Sequence, residues 1–245
     1  MTATHPFFAS ARPLVFAHRG GGALAPENTL VAFDNGIALG ADGLELDVHL
    51  SRDGVVVVHH DATLDRTTTL CGHVGERTTD ELARADVPTL ASVLGRYRDA
   101  PIIIELKVNS IAMAEAVIDT VRRADAVPRV CLGSFGLRVL RAVRALEPAI
   151  ATSAAREEVR FALYRSWCRW PVSRAAYGGY LVPEWSGQTR VVSTQFVEDA
   201  HRAGLGVQVW TVDTEEEARR LLDWGVDGLI TDRPDIIVPL CASRP

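Results

Sequence analysis

Lysine is almost missing from this sequence: of its 26 basic residues 25 are arginine, and the single lysine is Lys107. Positive charge is not in excess either. Against 31 acidic residues the 26 basic ones leave a net charge of −5, which argues against the basic footprint that nucleic acids and membrane surfaces usually require. Long apolar runs are absent, since no stretch free of charged side chains reaches a dozen residues. That excludes a membrane-spanning helix of roughly 20 apolar residues, and with it stable membrane insertion. Cysteine is scarce. Cys71, Cys131, Cys168 and Cys241 are far apart, with no C-x-x-C and no Cys/His pairing at zinc spacing, so they read as reduced thiols of a cytoplasmic protein. The N-terminus lacks the basic and apolar regions of a signal peptide. With 19 Gly and 12 Pro the chain is not of disordered composition. What remains is a soluble chain of 245 residues, the size of a single-domain α/β barrel.

Nine short, β-branched runs read as strands: 14–18, 43–48, 55–60, 102–107, 130–134, 150–153, 180–182, 207–211 and 228–231. Amphipathic stretches of helical length lie between most of them, at 28–39, 112–124, 137–146, 194–203 and 215–224. Gly40, Gly204 and Gly225 follow helices where a left-handed cap belongs. Repeated strand–helix units predict a parallel sheet closed into an eight-stranded (β/α)8 TIM barrel, one domain over 1–245. The ninth strand is explained by the pair 43–48 and 55–60. Their connection is too short for a parallel crossover, and Asp53-Gly54 is a hairpin turn, so a small antiparallel hairpin follows the second barrel strand. Residues 61–88 and 164–190 lack clean periodicity and read as excursions able to shape a pocket; no large insertion domain is present.

The chemistry-bearing residues fall at strand ends. His18 closes an apolar strand, where a side chain titrating near neutrality suits acid–base work. The adjacent Arg19 can fork onto a phosphate or carboxylate, and the glycines at 20–22 let backbone approach an anion. A capping histidine beside a surface arginine is the bland alternative. Glu45 and Asp47 stand two apart on a strand and share a face. Two carboxylates aimed into a barrel are costly without a positive charge between them, and Mg²⁺ or Ca²⁺ prefers such oxygen ligands. Glu105 and Lys107 repeat the spacing; a lone lysine kept there fits a phosphoryl oxygen that a planar guanidinium would not. In His59-His60 the two rings alternate sides, and a tight hairpin register sets His60 near Asp47 with His59 structural or exposed. His18 and His60 then supply a base and an acid on opposite sides of a bound phosphodiester. Trp210 reads as pocket lining or core. His5, His49, His73 and His201 read as solvated, and Thr231-Asp232-Arg233-Pro234 as a helix start.

Together the segments AHRGGGALAPENTLVAF, GADGLELDVHLSRDGVVVVHHDATLDRTT, IIIELK, VQVWTVD and GVDGLITDRPD resemble the glycerophosphodiester phosphodiesterase family, in order and over most of the chain. The resemblance implies an eight-stranded barrel that cleaves a small-molecule glycerophosphodiester to glycerol phosphate and an alcohol with Mg²⁺ or Ca²⁺. It implies His18 and His60 as the acid/base pair, Arg19 and Lys107 on the phosphate, Trp210 at the alcohol pocket, and Glu45, Asp47 and Glu105 as metal ligands. Glu27, within Pro26-Glu27-Asn28-Thr29, matches a position near the metal, as a ligand or as its support. First attack by water or by the neighbouring glycerol hydroxyl fits these residues equally. The loop from His18 to Glu27 carries extra glycine, and 155–190 matches no family motif.

Two other readings compete. One is a phospholipase D-like hydrolysis of lysophospholipids, for which Phe7, Phe8 and the Trp-rich 164–190 region would supply an apolar entrance. The other is a non-catalytic barrel that binds a phosphate ligand, which typically loses a histidine or an acidic ligand; here every group is present.

Overall fold

In the computed structural model, which describes residues 4–170 and 175–242, the nine predicted strands appear in order, with two short strands, Trp185–Ser186 and Thr189–Arg190, that the sequence reading did not predict. They are β1 (Leu14–His18), β2 (Gly43–Leu50), β3 (Val56–Val58), β4 (Ile102–Leu106), β5 (Val130–Gly133), β6 (Ala151–Thr152), β7 (Gly179–Pro183), β8 (Trp185–Ser186), β9 (Thr189–Arg190), β10 (Gly206–Trp210) and β11 (Gly228–Thr231). The helices are α1 (Leu30–Ala38), α2 (Thr79–Ala83), α3 (Leu90–Arg96), α4 (Ile111–Arg123), α5 (Leu137–Leu146), α6 (Arg156–Trp167), α7 (Thr194–Arg202), α8 (Glu215–Asp223) and α9 (Pro234–Ala242).

Eight parallel strands pair in the order β6-β5-β4-β2-β1-β11-β10-β7. The ring is nearly closed: β6 and β7 meet only at the parallel bridge between Ser153 and Gly179. Helices cover the outside because the strands alternate. On β4, Ile102, Ile104 and Leu106 join the outer core with the helices, whereas Ile103 belongs to the inner cluster. The same two-residue period puts Glu105 above Ile103 on the inner face. The helices begin at side-chain caps, as where Ser110 accepts from the Met113 amide and Thr214 from the Glu217 amide, satisfying first-turn donors that have no helical partner.

The lower end of the barrel is plugged. Phe7 and Phe8 of a short 3-10 turn pack with Phe16, Ile103, Cys131, Ala151 and Ile230. A Cβ on Gly43 would stand 2.8 Å from the Phe16 ring, so glycine is required where that ring crosses the barrel. Phe7 and Phe8 therefore seal the floor and do not widen an entrance, as the sequence reading had allowed.

The hairpin forms as predicted, with β3 antiparallel to β2 and Val48 opposite Val58. Ser51 and Val55 close a three-residue loop in which Gly54 takes φ +78°. One detail differs. The register puts Asp47 beside His59, whose amide donates to the Asp47 carbonyl at 2.9 Å. His60 reaches the cavity because the chain leaves the ladder after Val58. The 61–88 excursion has a small core of its own, in which Leu64, Val74, Leu82 and Val87 pack on Val57. The 164–190 stretch is less irregular than its sequence: α6 runs to Trp167, β8 and β9 form a ribbon, and positions 171–174 lie outside the described residues.

Candidate active site

The strand ends above the plug open into a cavity of about 1060 Å³ whose lining includes His18, Arg19, Glu45, His60, Glu105 and Lys107. His18, Glu45, Asp47 and Glu105 arrive together because the parallel registers match: His18 pairs with Glu45 across β1 and β2, and Asp47 with Glu105 across β2 and β4.

Each of the two histidines is backed by an aspartate. His18 Nδ1 lies 2.9 Å from Asp232 Oδ1, and His60 Nδ1 lies 2.6 Å from Asp61 Oδ1. A carboxylate accepts from Nδ1–H, which leaves Nε2 of each ring as the working nitrogen. His18 Nε2 stands 3.8 Å from Glu45 Oε2. Burial opposes charge on His18, but Glu45 and Asp232 outweigh it and raise its pKa. Asp232 is itself fixed, since its Oδ1 accepts from the Gly22 amide and its own amide donates to Asp213 at 2.8 Å. The sequence reading took Asp232 only as part of a helix start. It precedes α9, which does begin at Pro234, but its carboxylate belongs to the site.

Ligand atoms of Glu45, Asp47 and Glu105 lie within 4.8 Å of one another. Glu45 and Asp47 are 5 % and 1 % exposed, which makes their mutual repulsion severe. Burial, then the neighbouring Asp47 charge, push the Glu45 carboxyl up to about 8. Burial also raises Glu105, in part offset by Lys107. Asp47 escapes this trend: burial works against its charge, but Lys107 and Arg19 hold its pKa below the ordinary value. A buried all-carboxylate donor set in which one member keeps its proton to about pH 8 has room for more positive charge than the protein supplies. It fits a hard divalent cation.

Lys107 Nζ lies 3.0 Å from Asp47 Oδ1 and 3.3 Å from Glu105 Oε1. Arg19 Nε lies 3.3 Å from Asp47 Oδ2, and its Nη1 donates to Glu27 at 3.1 Å. Glu27 stands outside the acidic triad: it also accepts from Arg66 at 2.6 Å, and Arg66 Nε donates in turn to Asp61. The chain Arg19–Glu27–Arg66–Asp61–His60 thus links the two walls of the cavity. Asn28, 2 % exposed, donates to Asp47 Oδ2 at 2.9 Å and accepts from the Asp47 amide. The cap of α1 is Thr29. Sequence reading missed Asn28, Arg66 and Asp232, because nothing in local spacing marks a partner 19, 39 or 214 residues away.

Two further expectations are corrected. The amides of Gly20 and Gly21 donate to the Ala17 and His18 carbonyls, and the Gly22 amide is shared between the His18 carbonyl and the Asp232 carboxylate, so the glycine run serves a tight turn and the anion it meets is the protein's own Asp232. Gly20 sits there at φ +89° with a Cβ position only 2.6 Å from Ala32 backbone. His49 is not solvated: it is 8 % exposed and its Nε2 lies 3.1 Å from the His60 carbonyl, bracing the backbone that carries His60. His201 pairs with Asp227 at 2.9 Å. Of the two readings of His59 the structural one holds: it is 4 % exposed and its Nε2 lies 3.1 Å from the Thr63 carbonyl. Trp210 lines the cavity with its ring against Phe135, centroids 6.0 Å apart.

Comparison with known proteins agrees with this geometry. A profile of the glycerophosphoryl diester phosphodiesterase family matches residues 18–236. A glycerophosphodiester phosphodiesterase from Caldanaerobacter subterraneus subsp. tengcongensis is 32 % identical over 94 % of this chain and 98 % of its own. Among solved structures, a phosphodiesterase from Oleispira antarctica in complex with the product sn-glycerol-3-phosphate superposes with a TM-score of 0.76. It is 26 % identical and covers 95 % of this chain and 98 % of its own. A glycerophosphodiester phosphodiesterase from Agrobacterium tumefaciens gives a TM-score of 0.74 at 28 % identity, over 93 % and 99 % of the two chains. The chain belongs to the glycerophosphoryl diester phosphodiesterase family.

Proposed function

We propose that this enzyme hydrolyses a glycerophosphodiester to glycerol phosphate and an alcohol, with His18 and His60 as its acid/base pair and a divalent cation held by Glu45, Asp47 and Glu105. The observation that carries this reading is the pairing of each histidine with its own aspartate, Asp232 and Asp61, around one cavity that also contains the acidic triad. A non-catalytic phosphate-binding barrel has no use for two oriented imidazoles.

One imidazole takes the proton of the attacking oxygen at Nε2, and the other gives a proton to the departing alkoxide. Asp61 and Asp232 hold the rings in the tautomer that makes Nε2 available and favour the imidazolium once formed. Arg19 and Lys107 orient the phosphate, and Glu27, tied to two guanidiniums, keeps Arg19 in place. What a bound Mg²⁺ or Ca²⁺ supplies is neutralisation of the non-bridging phosphate oxygens. Trp210 and Phe135 offer an apolar wall to the alcohol.

The direct test is turnover of glycerophosphocholine by metal-stripped protein, with Mg²⁺ or Ca²⁺ added back and His18→Ala as blank. Release of glycerol phosphate only with the cation supports the reading; equal release in EDTA removes the metal from it. Turnover of lysophosphatidylcholine alone would move the substrate to the lysolipid class.

Two substitutions probe the supports. Asp232→Asn keeps the shape but loses the acceptor that fixes His18, and kcat is expected to fall by roughly 10²-fold or more, with Tm little changed. Wild-type turnover there would show that His18 needs no orienting partner. Lys107→Arg preserves charge, yet a longer planar guanidinium does not fit the place of a compact ammonium that lies 3.0 Å from Asp47 and 3.3 Å from Glu105. Misplacement of the phosphate by about 1 Å is expected to lower kcat/KM on the order of 10²-fold; steady-state kinetics check it.

A further inference from the structure

Helix α6 carries more apolar side chains than it buries. Leu163 is buried, yet Phe161, Tyr164 and Trp167, which line the mouth of the same cavity, are 59 %, 55 % and 64 % exposed. Ser186 and Thr189 of the β8–β9 ribbon line that cavity too, and the neighbouring Trp185 is 50 % exposed. An exposed apolar stripe on a helix marks a place of interaction.

The charge around this patch says which kind. Between residues 156 and 170 the chain carries Arg156, Arg160, Arg165 and Arg169 against Glu157 and Glu158, and Glu158 is already paired with Arg144 at 2.7 Å. The net charge of −5 for the whole chain hides this local reversal. Two of the cations lie on aromatic rings themselves, Arg165 over Phe161 at 5.6 Å and Arg156 over Phe135 at 4.9 Å; Arg190, over Trp185 at 5.2 Å, is already paired with Glu184 at 3.0 Å.

We infer that α6 and the β8–β9 ribbon form a docking surface for a bilayer bearing anionic headgroups. Trp and Tyr seat at the level where acyl chains give way to headgroups, and arginine stems lie along apolar surface while their guanidiniums reach lipid phosphate. A second copy of the chain fits less well, since a self-complementary contact would set one arginine collar against the other. No helix of the described residues is long and apolar enough to cross a membrane; α6, with 12 residues, lies on the surface. Docking sets the cavity mouth against the lipid and asks nothing of the catalytic groups, so it goes beyond the hydrolytic reading.

The test is co-sedimentation of the full chain with phosphatidylcholine vesicles, with and without phosphatidylglycerol. Phosphatidylglycerol is expected to tighten binding by about tenfold or more. Phe161→Ser/Tyr164→Ser/Trp167→Ser and Arg160→Glu are each expected to lose most of it. A conservative arm controls for misfolding of the triple variant: brominated acyl chains should quench wild-type tryptophan emission, and Trp167→Phe should quench by a smaller fraction. The inference is overturned by binding that ignores phosphatidylglycerol, by folded variants that sediment like wild type, or by a wild-type dimer that the triple variant converts to monomers. A chain that binds vesicles and cleaves no diester would sink the hydrolytic reading and leave this one standing.

Discussion

His60→Ala is expected to lower kcat for a glycerophosphodiester by about 10²–10⁴-fold, the range that a positioned acid or base contributes. The reason is local. His60 Nδ1 is held by Asp61 at 2.6 Å, Asp61 is held by Arg66, and the His60 carbonyl rests on buried His49. All of that machinery orients one imidazole, and alanine leaves it with nothing to orient. His18→Ala should behave alike, and the double variant should be little worse than the more damaged single variant, because two groups that serve one proton-transfer sequence do not add. The pH profile of kcat/KM should lose one limb in each single variant. A His60→Ala enzyme with near-normal turnover and both limbs intact would remove the acid/base assignment. The fold should tolerate the change, since the His60 side chain is 29 % exposed and contributes to no core cluster.

Glu45→Gln is expected to push activity and stability in opposite directions. Loss of one of three carboxylates should raise the cation concentration needed for half-maximal activity by more than about 100-fold, beyond what the loss of a supporting residue costs. Yet in EDTA the same variant should melt at a higher temperature than wild type. Glu45 is buried beside Asp47 and holds its proton to about 8, above its ordinary value of 4.5. Between those two values the folded chain keeps a proton that the unfolded chain has shed. Stability of the metal-free wild type therefore falls as pH rises through this window. Buried His18, whose pKa is also raised, acts in the same direction as pH rises past its own value. Glutamine removes the Glu45 part of that slope and can still accept from the Arg19 amide. Added Mg²⁺ should abolish the Glu45 part of the slope in wild type, because its binding needs the carboxylate and releases close to one proton near pH 7. Calorimetry in two buffers of different ionisation enthalpy measures that proton; none released would mean that Glu45 is not a ligand. Melting curves in EDTA across pH 6–9 measure the slope.

Much of this site was legible because the relevant information is local. His18, Glu45, Asp47, Glu105 and Lys107 all sit on or just after barrel strands, where a period of two decides which side chains face inward. The lone lysine and the adjacent carboxylates are visible in composition and spacing alone. The element order followed from the same patterns, with helix ends marked by Gly40, Gly204 and Gly225, all at positive φ.

Other features needed three dimensions. The α6 segment hides as a helix because exposed Phe161, Tyr164 and Trp167 add apolar side chains beside the buried Leu163, so no narrow stripe stands out against the Trp- and Arg-rich background. His59 and His60 both follow β3 of one hairpin, and which of them reaches the cavity is decided where the chain leaves the ladder after Val58. Phe7 and Phe8 sat near the N-terminus without periodicity, and only barrel closure turned them into a floor.

By itself, then, the sequence determined the barrel and the inward acidic and basic residues, because strand periodicity and residue chemistry act over a few positions. The tertiary structure alone decided the partners: Asp232 for His18, Asn28 for Asp47 and Arg66 for Glu27. Those pairings join residues from remote parts of the chain. They arise only when parallel registers bring all eight strand ends to one rim, where burial makes each lone charge costly enough to require a partner.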